Sequence, residues 1–109
     1  MTLPRDLIAA SSTPVVLSIL NEGESYGYEI IQKVKSLSDS QMLWADGMLY
    51  PILHRLEKKG FIQSFWGVAE TGRKRKYYRL KPAGLSELSQ QRENWRKVNS
   101  ILDSFENNN

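Results

Sequence analysis

Residues 61–80 read FIQSFWGVAETGRKRKYYRL. Four consecutive cations, Arg73, Lys74, Arg75 and Lys76, cannot enter a core, yet they run straight into Tyr77, Tyr78 and Leu80. A disordered basic tail has no use for two tyrosines and a leucine. A period of two resolves the conflict: FIQSFWGV and RKRKYYRL are predicted strands, joined by the short turn AETG. Tyr78 and Leu80 then share one face, and Tyr77 and Arg79 the other. The basic residues fall nearest the tip, so the pattern predicts a hairpin that presents charge rigidly.

Upstream, the period changes. In GMLYPILHRLEKKG, residues 47–60, Leu49, Ile52, Leu53 and Leu56 fall on one face of a helix closed by Gly60. Asp46 is its expected N-cap, and Pro51 sits near the limit of what a first turn tolerates. QMLW before it is read as a short strand. A preceding helix is predicted from near Ser25 to the SLSDS stretch, with Ile30, Ile31, Val34 and Leu37 repeating at 3.6 residues. The first helix is expected from an N-cap at Thr13, with Pro14 at the first helical position and Gly23 past the end. Leu7, Ile8 and Ala9 add a further helical segment, either one kinked helix with the first or a separate piece.

Downstream, Pro82 opens a long helix running close to Phe105. Leu88, Trp95 and Leu102 repeat every seven residues, and Gln91, Val98 and Phe105 stand between them in an a/d pattern. The last residues, ENNN, are polar and expected to fray. Residues 1–81 therefore read as one unit, 82–106 as a long helix and 107–109 as a tail.

Composition bounds the function. With 109 residues, 40% hydrophobic and 25% charged, the chain is long enough for one packed domain. It has no cysteine, which removes disulfides and thiolate chemistry. The single histidine, His54, makes no metal site without cysteine or a carboxylate cluster, and no cofactor is expected. No glycine-rich phosphate loop or nucleophile motif is present, which argues against an enzyme. No apolar run is long enough for a membrane span, and a cytoplasmic protein is expected. The net charge is only +3, but residues 73–81 hold six bases and no acid. Such a run is either a solvated face or an electrostatic footprint for nucleic acid.

Three helices followed by a two-stranded wing give a mostly α fold: a winged helix-turn-helix, with a long C-terminal dimerisation helix appended. The third helix takes the recognition position and is expected to expose Met48, Tyr50, His54, Arg55 and Lys58. Its first turns, which include Pro51, face base edges, while Lys58 and Lys59 suit phosphates. Arg73 to Lys76 on the wing would meet the backbone or an adjacent minor groove of double-stranded DNA. Tyr26, at the start of the second helix, suits a phosphate contact. Tyr28 is either a phosphate contact or core, and His54 either a DNA contact or plain surface.

YGYEI at 26–30, GMLYPILHRLEKKGFI at 47–62 and GRKRKYYRL at 72–80 resemble the signature of the PadR family of bacterial transcriptional regulators. The likeness spans about residues 14–84. It implies a winged-helix repressor that dimerises through its last helix, as in the short PadR subgroup. The chain departs from the family pattern at Lys81, where a capping threonine is common, and at Lys74, where a proline is common.

Trp95 has two readings. It is either interface core between two last helices, or one wall of a site for a planar ligand between paired chains. In the second reading Gln91 and Asn99 flank the ligand, and Leu7 and Ile8 close the site. The resemblance implies a planar aromatic or phenolic effector there, since some short members bind aromatic drugs between such tryptophans. The dimer interface is expected to use Leu88, Trp95, Val98, Leu102 and Phe105. Trp44 and Trp66 are read as core or hairpin packing. A competing account makes the chain a dimeric helical adaptor whose lysines only blunt an exposed strand.

Overall fold

A computed structural model describes residues 2–107. Pro14 does not start a helix; it lies inside one, α1, Arg5–Glu22. The continuous stripe Ile8, Ser12, Val16, Leu17, Ile19 and Leu20 is buried on both sides of the proline, so packing overrides the break. Serine hydroxyls take carbonyls just upstream: Ser11 Oγ donates to Leu7 O at 2.8 Å and Ser12 Oγ to Ala9 O at 2.8 Å. Thr13 is therefore mid-helix and caps nothing, and the choice between one helix and two is settled as one.

The next element is a strand that sequence periodicity could not show, because it has two residues. β1, Ser25–Tyr26, pairs with the wing, and α2, Gly27–Leu37, begins immediately after it. Ile30 and Val34 of α2 are buried, but Leu37 is exposed, at the end of its repeat. The chain then turns through Asp39 and Ser40, both left-handed, with φ of 52° and 62°. QMLW forms no strand; Gln41 accepts a bond from the Leu3 amide, and Trp44 is buried in the core.

α3 is Asp46–Lys58. Asp46 is its first helical residue rather than its cap, and the N-cap, Ala45, offers no side-chain bond. Leu49, Ile52, Leu53 and Leu56 are buried as their spacing predicts. Pro51 lies inside the helix on its exposed face, where the lost N–H faces water rather than the core. The C-terminus closes with Phe61 N–H on Leu56 O and Gly60 N–H on Glu57 O, with Gly60 at φ 81°.

The hairpin β2, Ile62–Val68, and β3, Lys74–Leu80, pairs in the register Ile62↔Leu80 to Val68↔Lys74. With β1 added, the wing is a three-stranded antiparallel sheet in the order β1-β3-β2. Ile62 and Tyr78 enter the core. α4, Pro82–Asn107, starts where Lys81 N–H bonds Phe61 O and Lys81 O accepts the Leu85 N–H. Gly84 is required there, because a Cβ would stand 2.1 Å from the Phe61 carbonyl oxygen. Residue 107 ends α4, and the rest of the expected tail lies outside the described residues.

Candidate nucleic-acid interface

α3 exposes Tyr50, Pro51, His54, Arg55 and Lys58. Met48 is different. It is half-buried and packs against the core, since its position adjoins the buried stripe. Tyr50 is 41% exposed, but its hydroxyl lies over Gly27, where any Cβ would stand 2.6 Å from it. This contact fastens the middle of α3 to the start of α2 and explains why residue 27 carries no side chain.

The wing's cations divide by face. Arg73 and Lys74 are exposed at the tip, whereas Arg75 and Lys76 are half-buried. On the outer face, the Arg75 guanidinium lies 3.9 Å from the centroid of the Tyr26 ring. Tyr26 meets Tyr77 edge-on at 5.6 Å, and Tyr77 stacks on Phe65 at 5.7 Å. The Arg79 guanidinium lies 4.9 Å over Phe65. Tyr77 also occupies the space over Gly67. Tyr26 is thus a platform beneath an arginine. Tyr28, the second residue of α2, is exposed and not core.

α3 and the wing are joined by a carboxylate. Glu57 accepts the Ser64 N–H at 2.9 Å and the Ser64 hydroxyl. The two Ser64 bonds, hydroxyl first, hold the Glu57 carboxyl below the ordinary glutamate value of 4.5, with lesser help from Lys76 and His54 and against some desolvation. Burial, chiefly, raises the Tyr78 phenol, which stays neutral. The two Ser64 bonds tie α3 directly to β2 of the wing. Neither Glu57 nor Ser64 was singled out from sequence; an acid set between Arg55 and Lys58 was the available signal.

The other candidate residues separate. Trp95 and Asn99 line a groove of about 610 Å³ between α1, the end of α2 and α4, together with Pro14, Val15, Leu37, Arg92 and Arg96. Gln91 does not line it; its amide donates to Glu87. Neither Leu7 nor Ile8 reaches it, because the unbroken α1 turns Ile8 into the core and leaves Leu7 exposed. Leu88 is 1% exposed inside its own chain, so it is core and not interface surface. Val98, Leu102 and Phe105 are exposed, and so is Ile101, which the heptad reading passed over although it stands three residues after Val98. Trp66, expected to be packed, is 69% exposed on the wing. Among the described residues no group of three or more acids or histidines could hold a metal, and no helix is long and apolar enough to cross a membrane.

The Transcriptional regulator PadR-like family model matches residues 16–90. An uncharacterized protein of Lysinibacillus sphaericus is 34% identical over 92% of both chains. A transcriptional regulator of Mycobacterium tuberculosis is 48% identical over 42% of each. The solved structure of a transcriptional regulator from Clostridium thermocellum superposes with a TM-score of 0.83 at 36% identity, covering 92% of this chain and 97% of that one. A PadR-like transcriptional regulator from Bacillus cereus gives 0.81 at 26% identity, covering 92% and 95%. A recognition-position helix locked to a basic wing, and a family match over most of the chain, lead to one conclusion: the chain belongs to the PadR-like family and is a DNA-binding transcriptional regulator, not an enzyme.

Proposed function

We propose that the protein is a cytoplasmic homodimeric repressor that binds an inverted-repeat operator and is released from it by a small planar aromatic or phenolic effector. The observation that carries the dimer is the outer half of α4, where Val98, Ile101, Leu102 and Phe105 stay 50–72% exposed on one side of a helix. An apolar stripe of this kind on a small protein calls for a partner, and a second copy supplies an identical stripe. In the repressor reading α3 enters the major groove with Tyr50, Pro51, His54 and Arg55 toward base edges. Lys58 and Arg73 to Lys76 meet phosphates. Met48 and Tyr26 serve this surface from behind, one as packing and one as the ring under Arg75.

The effector would occupy the groove beside Trp95 and Asn99, where apolar walls and the cations Arg92 and Arg96 suit an aromatic anion. Release of DNA requires that such a ligand bind better to a dimer whose recognition helices no longer match the half-sites. Footprinting of upstream DNA tests the dimer and operator together. Two protected inverted half-sites, separated by whole turns of about 10 bp, are expected. Protection of a single half-site by a monomer would refute it. For the effector, phenolic acids and cationic dyes are titrated against wild type and Trp95→Ala, following tryptophan fluorescence and operator release. Equal binding by both proteins would remove Trp95 from the site.

A further inference from the structure

The two faces of the wing differ in a way that the fold does not require. On the outer face Tyr77 meets Tyr26 edge-on and stacks on Phe65, with Arg75 over Tyr26 and Arg79 over Phe65. The inner face carries Ile62, Ser64, Trp66 and Val68 of β2 opposite Leu80, Tyr78, Lys76 and Lys74 of β3. At its base this face is closed, since Ile62 and Tyr78 are buried and Ser64 is bonded to Glu57 of α3. Further out along the same face from Ser64, Trp66 is 69% and Val68 70% exposed. Folding does not account for a tryptophan in that position. Its cross-strand partner is Lys76, and that of Val68 is Lys74, so a row of two apolar side chains on β2 lies beside a row of two cations on β3 on one surface. This face meets α3 at Ser64, which is bonded to Glu57 and stands two residues before Trp66 on β2.

We propose that Trp66 and Val68 form an apolar ledge that packs on the deoxyribose wall of a DNA minor groove flanking the α3 half-site, with Lys74 and Lys76 on the adjoining phosphates. The inference rests on the DNA-binding reading and assigns it a contact that charge alone does not supply. The chemistry is matched on both sides. A duplex groove offers a row of phosphate anions beside the C–H faces of its sugars, and the ledge offers a row of cations beside a row of apolar side chains. The indole body is apolar while its N–H remains free to donate to a phosphate oxygen. A contact of this kind adds affinity without releasing counterions, which sets it apart from the lysines beside it.

The test compares full-length wild type, Trp66→Ala, Trp66→Phe and Lys74→Ala on a labelled mixed-sequence duplex of about 30 bp across a salt series. Trp66→Ala should bind about tenfold more weakly at every salt concentration, with the slope of log K against log salt unchanged. Trp66→Phe should recover most of the loss, and Lys74→Ala should lower the slope by about one unit. Hydroxyl-radical footprinting reads the sugars directly: a cluster protected by wild type should be lost in Trp66→Ala and kept in Lys74→Ala. Because Trp66 is so exposed, the variant should melt with wild type, which separates a lost contact from a lost fold. Salt-dependent binding of wild type, with Trp66→Ala equal to it in affinity and sugar protection, overturns the ledge and leaves the DNA-binding reading standing. A lowered slope in Trp66→Ala also overturns it, since the ring would then only position Lys76. Failure of wild type to bind any duplex overturns both.

Discussion

The wing and the outer half of α4 hold comparable numbers of large side chains and treat them in opposite ways. The wing stacks its rings and lays Arg75 and Arg79 across them, so that its outer face is finished within one chain. On α4 Leu88 is buried within its own chain, whereas Val98, Ile101, Leu102 and Phe105 are bare. A surface with charged caps over apolar bodies is stable in water by itself, because the cations keep their solvent while their stems cover carbon. A bare apolar stripe is not, and in the proposed dimer a second copy covers it. In the proposed reading the wing's outer face needs no partner, whereas the outer half of α4 is covered by a second copy.

The largest effect expected follows from the incomplete region. Leu102→Asp places two carboxylates in the proposed seam without partners, at a cost of about 3–5 kcal/mol. Sedimentation at micromolar concentration should show a folded monomer, with operator binding lost and helix content kept. A native dimer would mean that α4 is not the seam. Leu88→Ala makes the contrast from the other side of the same helix. It should lower the unfolding free energy by about 2–5 kcal/mol, read by denaturant titration, because it opens a cavity in the core of each chain. Oligomer size should be unchanged wherever the protein remains folded.

Most of the fold was legible because it rests on long periodic segments. α3, the hairpin and α4 follow from apolar spacing, and their bounds moved by only a residue or two. β1 was not legible: two residues carry no period, and it exists only because Tyr77 and Tyr78 offer it a free strand edge. Pro14 misled for a different reason. A local preference for a helix start was outweighed by six buried residues that run past it. The candidate site was half legible. Sequence placed the cations on the right elements, but burial decided between Leu88 and Val98, and only tertiary geometry put Arg75 on Tyr26 and left Trp66 in solvent.

The wing's own division of labour predicts a smaller difference. Arg73 is exposed at the tip, so Arg73→Ala should weaken binding to specific and random duplexes alike and reduce the salt slope by about one unit. Arg75 lies over the Tyr26 ring and is proposed to meet DNA as well. Arg75→Ala should therefore also reduce stability by about 0.5–1 kcal/mol, the range of an accessible cation–π contact. Thermal melts beside salt titrations check both. An Arg75→Ala protein as stable as wild type would show that the stacked face holds without its cap.

The smallest effect concerns what makes the winged region a single body. Glu57 is held as a carboxylate by the Ser64 hydroxyl and amide, and its folded pKa lies below the ordinary 4.5. Since the unfolded chain takes up this proton first as pH falls, the contribution is complete above 4.5 and is lost as pH descends from there toward the folded value. The apolar residues of α4 carry no proton and have no such dependence. Mild acid should thus loosen the wing from α3 before it touches the seam: operator affinity and wing amide protection fall while the dimer persists. Glu57→Gln keeps the shape and can still accept from Ser64, but without charge. It should cost about 1 kcal/mol at neutral pH and flatten the acid limb of the stability curve. Denaturant titrations of both proteins between neutrality and mild acid give the comparison. If the two curves stayed parallel below 4.5, some other carboxylate would set the acid limb, and the join between helix and wing would rest on apolar packing alone.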